Sequence, residues 1–130
     1  MILATKTLAA IDAAIELDGG AKYRGLLKQA TLELYDAFDD KPDPMPRGHL
    51  GASLIGRKCA RELWYGFRWC SYEKFPARML LLFNRGHLEE ARFVAQLRVA
   101  GMTVWSQDSA NKQFRISAHG GHFGGALDAV

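Results

Sequence analysis

The chain has 130 residues, 48% hydrophobic and 24% charged, enough for one globular domain around one core. No apolar run approaches the ~18 residues of a membrane-spanning helix, and the apolar start is broken by Asp12 with no cleavage site behind it, so neither a membrane partner nor an export signal is expected. Two cysteines, Cys59 and Cys70, make no disulfide framework and suit a reduced, cytoplasmic setting.

The net charge of +3 is unevenly spread. Residues 1–40 hold 4 basic and 7 acidic side chains, net −3; residues 41–100 hold 11 and 5, net +6; residues 101–130 hold 2 of each. A basic middle suits a polyanionic partner, although a solvated surface with chance clustering has the same signature.

In chain order, helical apolar spacing over 3–17 ends at Asp18-Gly19-Gly20, a stop signal. Residues 22–38 read as a second helix, with Leu26, Leu27, Ala30, Leu34 and Phe38 on one side, so the two form a helical hairpin. Three prolines between Asp39 and Arg47 make a linker, which separates an N-terminal extension (1–47) from a main body (48–130). Ser53 is placed to cap a third helix running to about Arg68. Ile55, Cys59, Leu63 and Phe67 would face inward on it, and Arg57, Arg61, Tyr65 and Arg68 would share another face. That arginine row fits a phosphate backbone, or is simply solvated. A fourth helix spans about 77–99 and stops at Gly101. The period then changes to that of strands at 102–107, 113–118 and 122–130, with a loop at 108–111 and a two-residue Gly120-Gly121 turn, so a three-strand antiparallel meander is expected.

Two carboxylates stand out. Met79, Phe83, Gly86, Glu90, Phe93, Val94 and Leu97 lie along one stripe of the fourth helix, apolar or glycine except for Glu90. A carboxylate on a core-facing stripe wants a cation, a metal or a donor, because burial without one costs several kcal/mol. The alternative is an edge position paired with Arg85 or Arg92. Gly86, one turn earlier, leaves room for a close approach. Asp128 shares a strand face with Gly124 and Ala126, which leaves space beside it for a metal or phosphate; the alternative is an ordinary edge-strand aspartate. His87 reads as a helix-surface residue, and His119 and His122 as turn residues.

Residues Gly51 to Arg68 (GASLIGRKCARELWYGFR) resemble the opening helix of RecB-type and phage exonucleases of the PD-(D/E)XK superfamily. Arg85-Gly-His-Leu-Glu-Glu90 resembles their first motif, in which a glycine precedes a Glu or His by four positions, and Gly125-Ala-Leu-Asp128 resembles their second. Together these cover residues 50–130; residues 1–47 match no motif of the family.

The resemblance implies an α/β (α+β) fold, a restriction-endonuclease-like core with a helical N-terminal extension. It also implies a metal-dependent DNA exonuclease of phage or prophage type, working in a bacterial or phage-infected cytoplasm. Asp128 would be a direct Mg²⁺ or Mn²⁺ ligand, and Glu90 a ligand directly or through water. A (D/E)-x-K element would follow on the next strand, past Val130, so the core is expected to be cut before its site is complete, with a strand edge open to self-association. By position rather than by family assignment, Arg57, Arg61, Arg68 and Arg85 are the candidate DNA contacts. Some relatives hold an iron–sulfur cluster through a cysteine placed like Cys59, but Cys59 falls on the expected inward face and reads as a core cysteine, so no cluster is expected. A non-catalytic DNA-binding or protein-interaction module is the alternative reading.

Overall fold

A computed structural model describes residues 4–37, 48–68 and 74–130, with only the backbone of Asp36 and Ala37. The expected linker, Phe38 and Cys70 lie outside the described residues. The architecture is mixed α+β: four helices and a small three-strand mixed sheet.

Helix α1 (Thr5–Glu16) ends where the sequence places its stop. Gly19 and Gly20 take positive φ, 61° and 79°, and Gly20 N–H donates back to the Ile15 carbonyl. Asp18 serves both helices. Its carboxylate accepts the backbone N–H groups of Gly20, Ala21 and Lys22 at 2.9–3.0 Å, satisfying donors at the start of α2 (Ala21–Ala37). The Lys22 N–H, with those of Gly20 and Ala21, holds the Asp18 carboxyl below the usual range.

Helix α4 (Ala77–Val99) also stops as read: Gly101 takes φ 89°, Gly101 N–H bonds to Arg98 and Met102 N–H to Leu97. Its buried face differs from the expected stripe. Ala91, Val94, Ala95 and Val99 are buried, whereas Phe93 is 60% exposed and a Cβ on Gly86 would meet nothing within 4 Å. The reason is the partner. Helix α2 lies along the C-terminal half of α4, and the cluster Ala30, Ala91, Val94 and Ala95 lets two backbones approach where larger side chains would hold them apart. Tyr23, Leu26, Leu27 and Leu34 of α2 pack around it with Val104 and Ala129. The N-terminal helices thus share the core of the body, and α2 packs more on α4 than on α1.

An ion pair locks this arrangement. Arg98 of α4 donates to both carboxylate oxygens of Glu33 on α2, at 3.1 and 2.9 Å, and to the Val104 carbonyl through Nε and Nη2. The Ser106 hydroxyl donates to the same carboxylate, and the Gln107 amide to the Glu33 backbone carbonyl. Burial pushes the Glu33 carboxyl up, but the hydrogen bonds from Arg98 and Ser106 outweigh it and leave the group below its ordinary range.

The expected meander is corrected. The sheet order is β1-β3-β2, with β2 (Phe114–Ala118) antiparallel to the central β3 (Phe123–Leu127) and β1 (Leu50–Gly51) parallel to it. Residues 102–107 form no strand; their one sheet-like link is the reciprocal pair Trp105–Val130, at 2.9 and 2.8 Å. The hairpin loop is four residues, His119 to His122, because His119 joins Gly120 and Gly121 at positive φ. The single third helix is also corrected. A 3-10 turn, Ala52–Leu54, is followed by an irregular stretch through Gly56, and α3 starts only at Ala60 and runs to Phe67. Ser53 caps no helix. Ile55 (79% exposed) and Cys59 face solvent, while Leu63 and Phe67 are half-buried.

The glycines of β3 fit this topology. A Cβ on Gly125 would come within 2.9 Å of Ala52 Cβ, and one on Gly124 within 3.2 Å of the His49 ring. What approaches them is residues 49–52 folding onto β3.

Gly125→Val should therefore cost about 1–3 kcal/mol in urea unfolding, and unchanged stability would contradict the packing of residues 49–52 on β3. Glu33→Gln should cost about 2 kcal/mol at neutral pH, since it leaves Arg98 half-buried without its counter-charge. Because the folded Glu33 pKa is lowered, the clamp's contribution is present above the ordinary glutamate range and lost as pH falls through the lowered value. The Gln variant should show a flatter decline of stability in acid, and a decline as steep as wild type's would refute the assignment.

Candidate functional site: a carboxylate pair between α4 and β3

Glu90 and Asp128 are 38 residues apart in sequence and reach the same cavity, of about 70 Å³. Helix α4 supplies His87, Glu90, Ala91 and Val94; the end of β3 supplies Asp128; Gln113, Ser106 and Gln107 close one side, and Glu33 with Ala30 and Leu34 of α2 another. The volume holds several waters and is lined by groups that can bind them.

Glu90 sits at the border of the buried face rather than on its centre line, with 23% of its side chain exposed. Neither arginine considered as its partner takes that role, since Arg92 pairs with Glu89 at 2.9 Å. His87, one turn earlier, places Nδ1 3.1 Å from Glu90 Oε1. Burial first, and then the charge of Asp128, push the Glu90 carboxyl above its ordinary value, while His87 pulls it back. Glu90 is half-buried and Asp128 exposed, and two like charges lining one cavity favour a cation there. Hard divalent ions take oxygen ligands, and Mg²⁺ in particular is held by one or two carboxylates while keeping several waters, so the pair fits such an ion. Among the described residues no group of three or more His, Cys, Asp or Glu side chains is arranged to hold a metal.

The proposed DNA-contact arginines do not form the expected row. Arg57 lies before α3 and pairs with Glu62 at 3.1 Å, so it shares no helical face with the others. Arg61 is exposed on α3, Arg68 follows the helix with its guanidinium 5.8 Å from the Trp64 ring centre, and Arg85 is exposed on α4. His122 meets Phe67 edge-on at 5.5 Å, which gives it a packing role. Glu33 and His87 were not singled out as site residues by sequence, although Glu33 carries the signal that drew attention to Glu90: it continues the apolar row Leu26, Ala30.

No family model, no curated protein and no solved structure matches this chain.

Ionising Glu90 is harder in the folded chain than in the unfolded one. It costs no stability below the ordinary glutamate range, and its penalty grows as pH rises through the raised folded value. Glu90→Gln keeps an oxygen for His87 and removes the charge, so it should raise the thermal midpoint at neutral pH and have little effect in acid. A lower midpoint at neutral pH would show that Glu90 is already compensated.

Proposed function

We propose that this chain carries the first two acidic positions of a metal-dependent deoxyribonuclease site of PD-(D/E)XK type, in the RecB-like and phage exonuclease branch, with DNA as its partner. The observation that carries the reading is the convergence of Glu90 and Asp128 from motifs 38 residues apart onto one cavity. The motif order, the basic charge of residues 41–100 and the α+β architecture support it.

A bound Mg²⁺ or Mn²⁺ supplies Lewis-acid polarisation of a phosphodiester and lowers the pKa of a nucleophilic water. Asp128 and Glu90, which both line the cavity, would hold the ion. His87 Nδ1 orients the Glu90 carboxylate through its hydrogen bond. Gln113 presents an amide able to bond water or a phosphate oxygen. The general base and the charge-stabilising lysine would come from the (D/E)-x-K element. The basic charge of residues 41–100 also supports a second reading, a module that binds DNA without cutting it.

Mn²⁺ binding followed by paramagnetic broadening separates this proposal from an ordinary acidic cavity. Broadening should centre on Glu90, Asp128 and His87, and Asp128→Asn should weaken binding about tenfold or more. Absent or diffuse broadening would overturn it. Cleavage of end-labelled linear DNA in Mg²⁺ or Mn²⁺ then divides the two readings. Cutting that is lost in both Glu90→Ala and Asp128→Asn supports a nuclease site assembled by these residues; metal binding without cutting supports the binding module.

A further inference from the structure

None of Arg57, Arg61 and Arg68 lines the carboxylate pocket. Strand β2 offers a different cation. The antiparallel register pairs Arg115 with Ala126 and Phe114 with Leu127. Paired residues share a face and alternate residues repeat it, so Arg115 and Ser117 lie on the side of β2 that matches Gly124 and Ala126. Gln113 precedes β2 by one residue and Asp128 follows β3 by one, and both line the pocket.

Directly opposed residues in an antiparallel pair stand about 4.5–5.5 Å apart at Cβ, and diagonal ones about 7–8 Å. The ladder ends at Phe114–Leu127, so Arg115, one pair in from that end, stands beside the point where the chain leaves β3 for Asp128. Between them is Ala126, whose methyl group is exposed and leaves the surface open. Gly124, further along, is covered by His49 and bounds the open stretch. Arg115 is exposed, and among the described residues no ion pair holds it, to Asp128 or to any other acid. Nearby cations are already engaged: Arg98 with Glu33 and Arg92 with Glu89. In residues 101–130 the only other basic side chain besides histidine is Lys112, in the loop before β2.

We propose that Arg115 holds a DNA phosphate beside the Glu90–Asp128 pocket, so that the strand approaches along the exposed β2–β3 face rather than along α3. The proposal rests on reading Glu90 and Asp128 as a phosphodiester site. A guanidinium on the strand beside Asp128 offsets the repulsion between the carboxylates and the incoming backbone, and its forked donors match phosphate oxygens. Gln113, Arg115 and Ser117 recur at about 6.6 Å along the strand, two residues at a time, so the hydroxyl and amide can bond the sugar–phosphate on either side of the one bound by Arg115. Arg115 is a binding and positioning residue; it takes no part in bond cleavage.

The test is binding of a fluorescein-labelled single-stranded oligodeoxynucleotide in Ca²⁺, by anisotropy over a salt series, for wild type, Arg115→Gln and Arg61→Gln. Arg115→Gln should weaken binding several-fold and lower the slope of log K against log salt by about 0.7, the value of one phosphate contact on a single strand; Arg61→Gln should do much less. No binding by wild type, equal binding by Arg115→Gln, or a larger loss in Arg61→Gln would overturn the proposal. Mn²⁺ binding by wild type and Asp128→Asn, measured in parallel, keeps the two ideas apart. Intact metal binding with no effect of Arg115→Gln removes only the strand path, whereas a loss of DNA binding in Arg115→Gln without any metal binding removes the phosphodiester reading and leaves Arg115 as a DNA contact.

Discussion

The bidentate ion pair between Glu33 and Arg98 is the interaction on which the rest depends. It is half-buried, it joins α2 to α4, and through Val104, Ser106 and Gln107 it fixes the segment that leads into the sheet. That segment in turn holds the end of β3 through Trp105 and Val130. Asp128 is thus positioned against Glu90 by a chain of polar contacts that starts on a helix far from either motif. Charge pairs of this kind contribute little net stability against a hydrophobic replacement, but they are unforgiving of losing one partner, and they select one geometry among several that the apolar contacts alone would allow.

The small residues at the α2–α4 contact have the complementary role. Ala30, Ala91 and Ala95 bring the helices close, so that the long side chains of Glu33 and Arg98 meet edge to edge and the cavity beside them stays narrow. The cost appears at the other end of α4, where Leu80, Leu81, Leu82 and Phe83 are exposed among the described residues and Phe83 has the Phe75 ring edge-on at 5.0 Å.

Much of this was legible in sequence where the signal is local. Helices α1, α2 and α4 have 3.6-residue periodicity, α1 and α4 have glycine stops, and the observed limits fall within a residue or two of those expected. The two carboxylates were legible because each broke a pattern: Glu90 an apolar stripe, Asp128 a run of small residues. What failed was non-local. The two-residue β1 has no period of its own and exists only because β3 accepts it, and Gly56 breaks what reads as one helix from Ser53 to Arg68. The buried face of α4 was misplaced because apolar size was weighed above fit; the contact is made by alanines, and Phe93, the largest residue of the expected stripe, faces outward. Glu33 was missed although Arg98 follows Val94 by one turn on the facing helix, so that opposite charges on two apolar stripes were the available clue.

The reciprocal Trp105–Val130 pair has a consequence for motion. Both backbone bonds of this link lie outside any continuous ladder, so fraying there is opposed by two hydrogen bonds and by whatever else orders residues 104–107. Opening it would let the β3 terminus swing and carry Asp128 away from α4 without unfolding either helix. Such a local opening has its own free energy, smaller than that of global unfolding. The amide protons of Trp105 and Val130 would exchange with solvent on that faster clock, and their exchange rates would measure how much of the time the two carboxylates face each other.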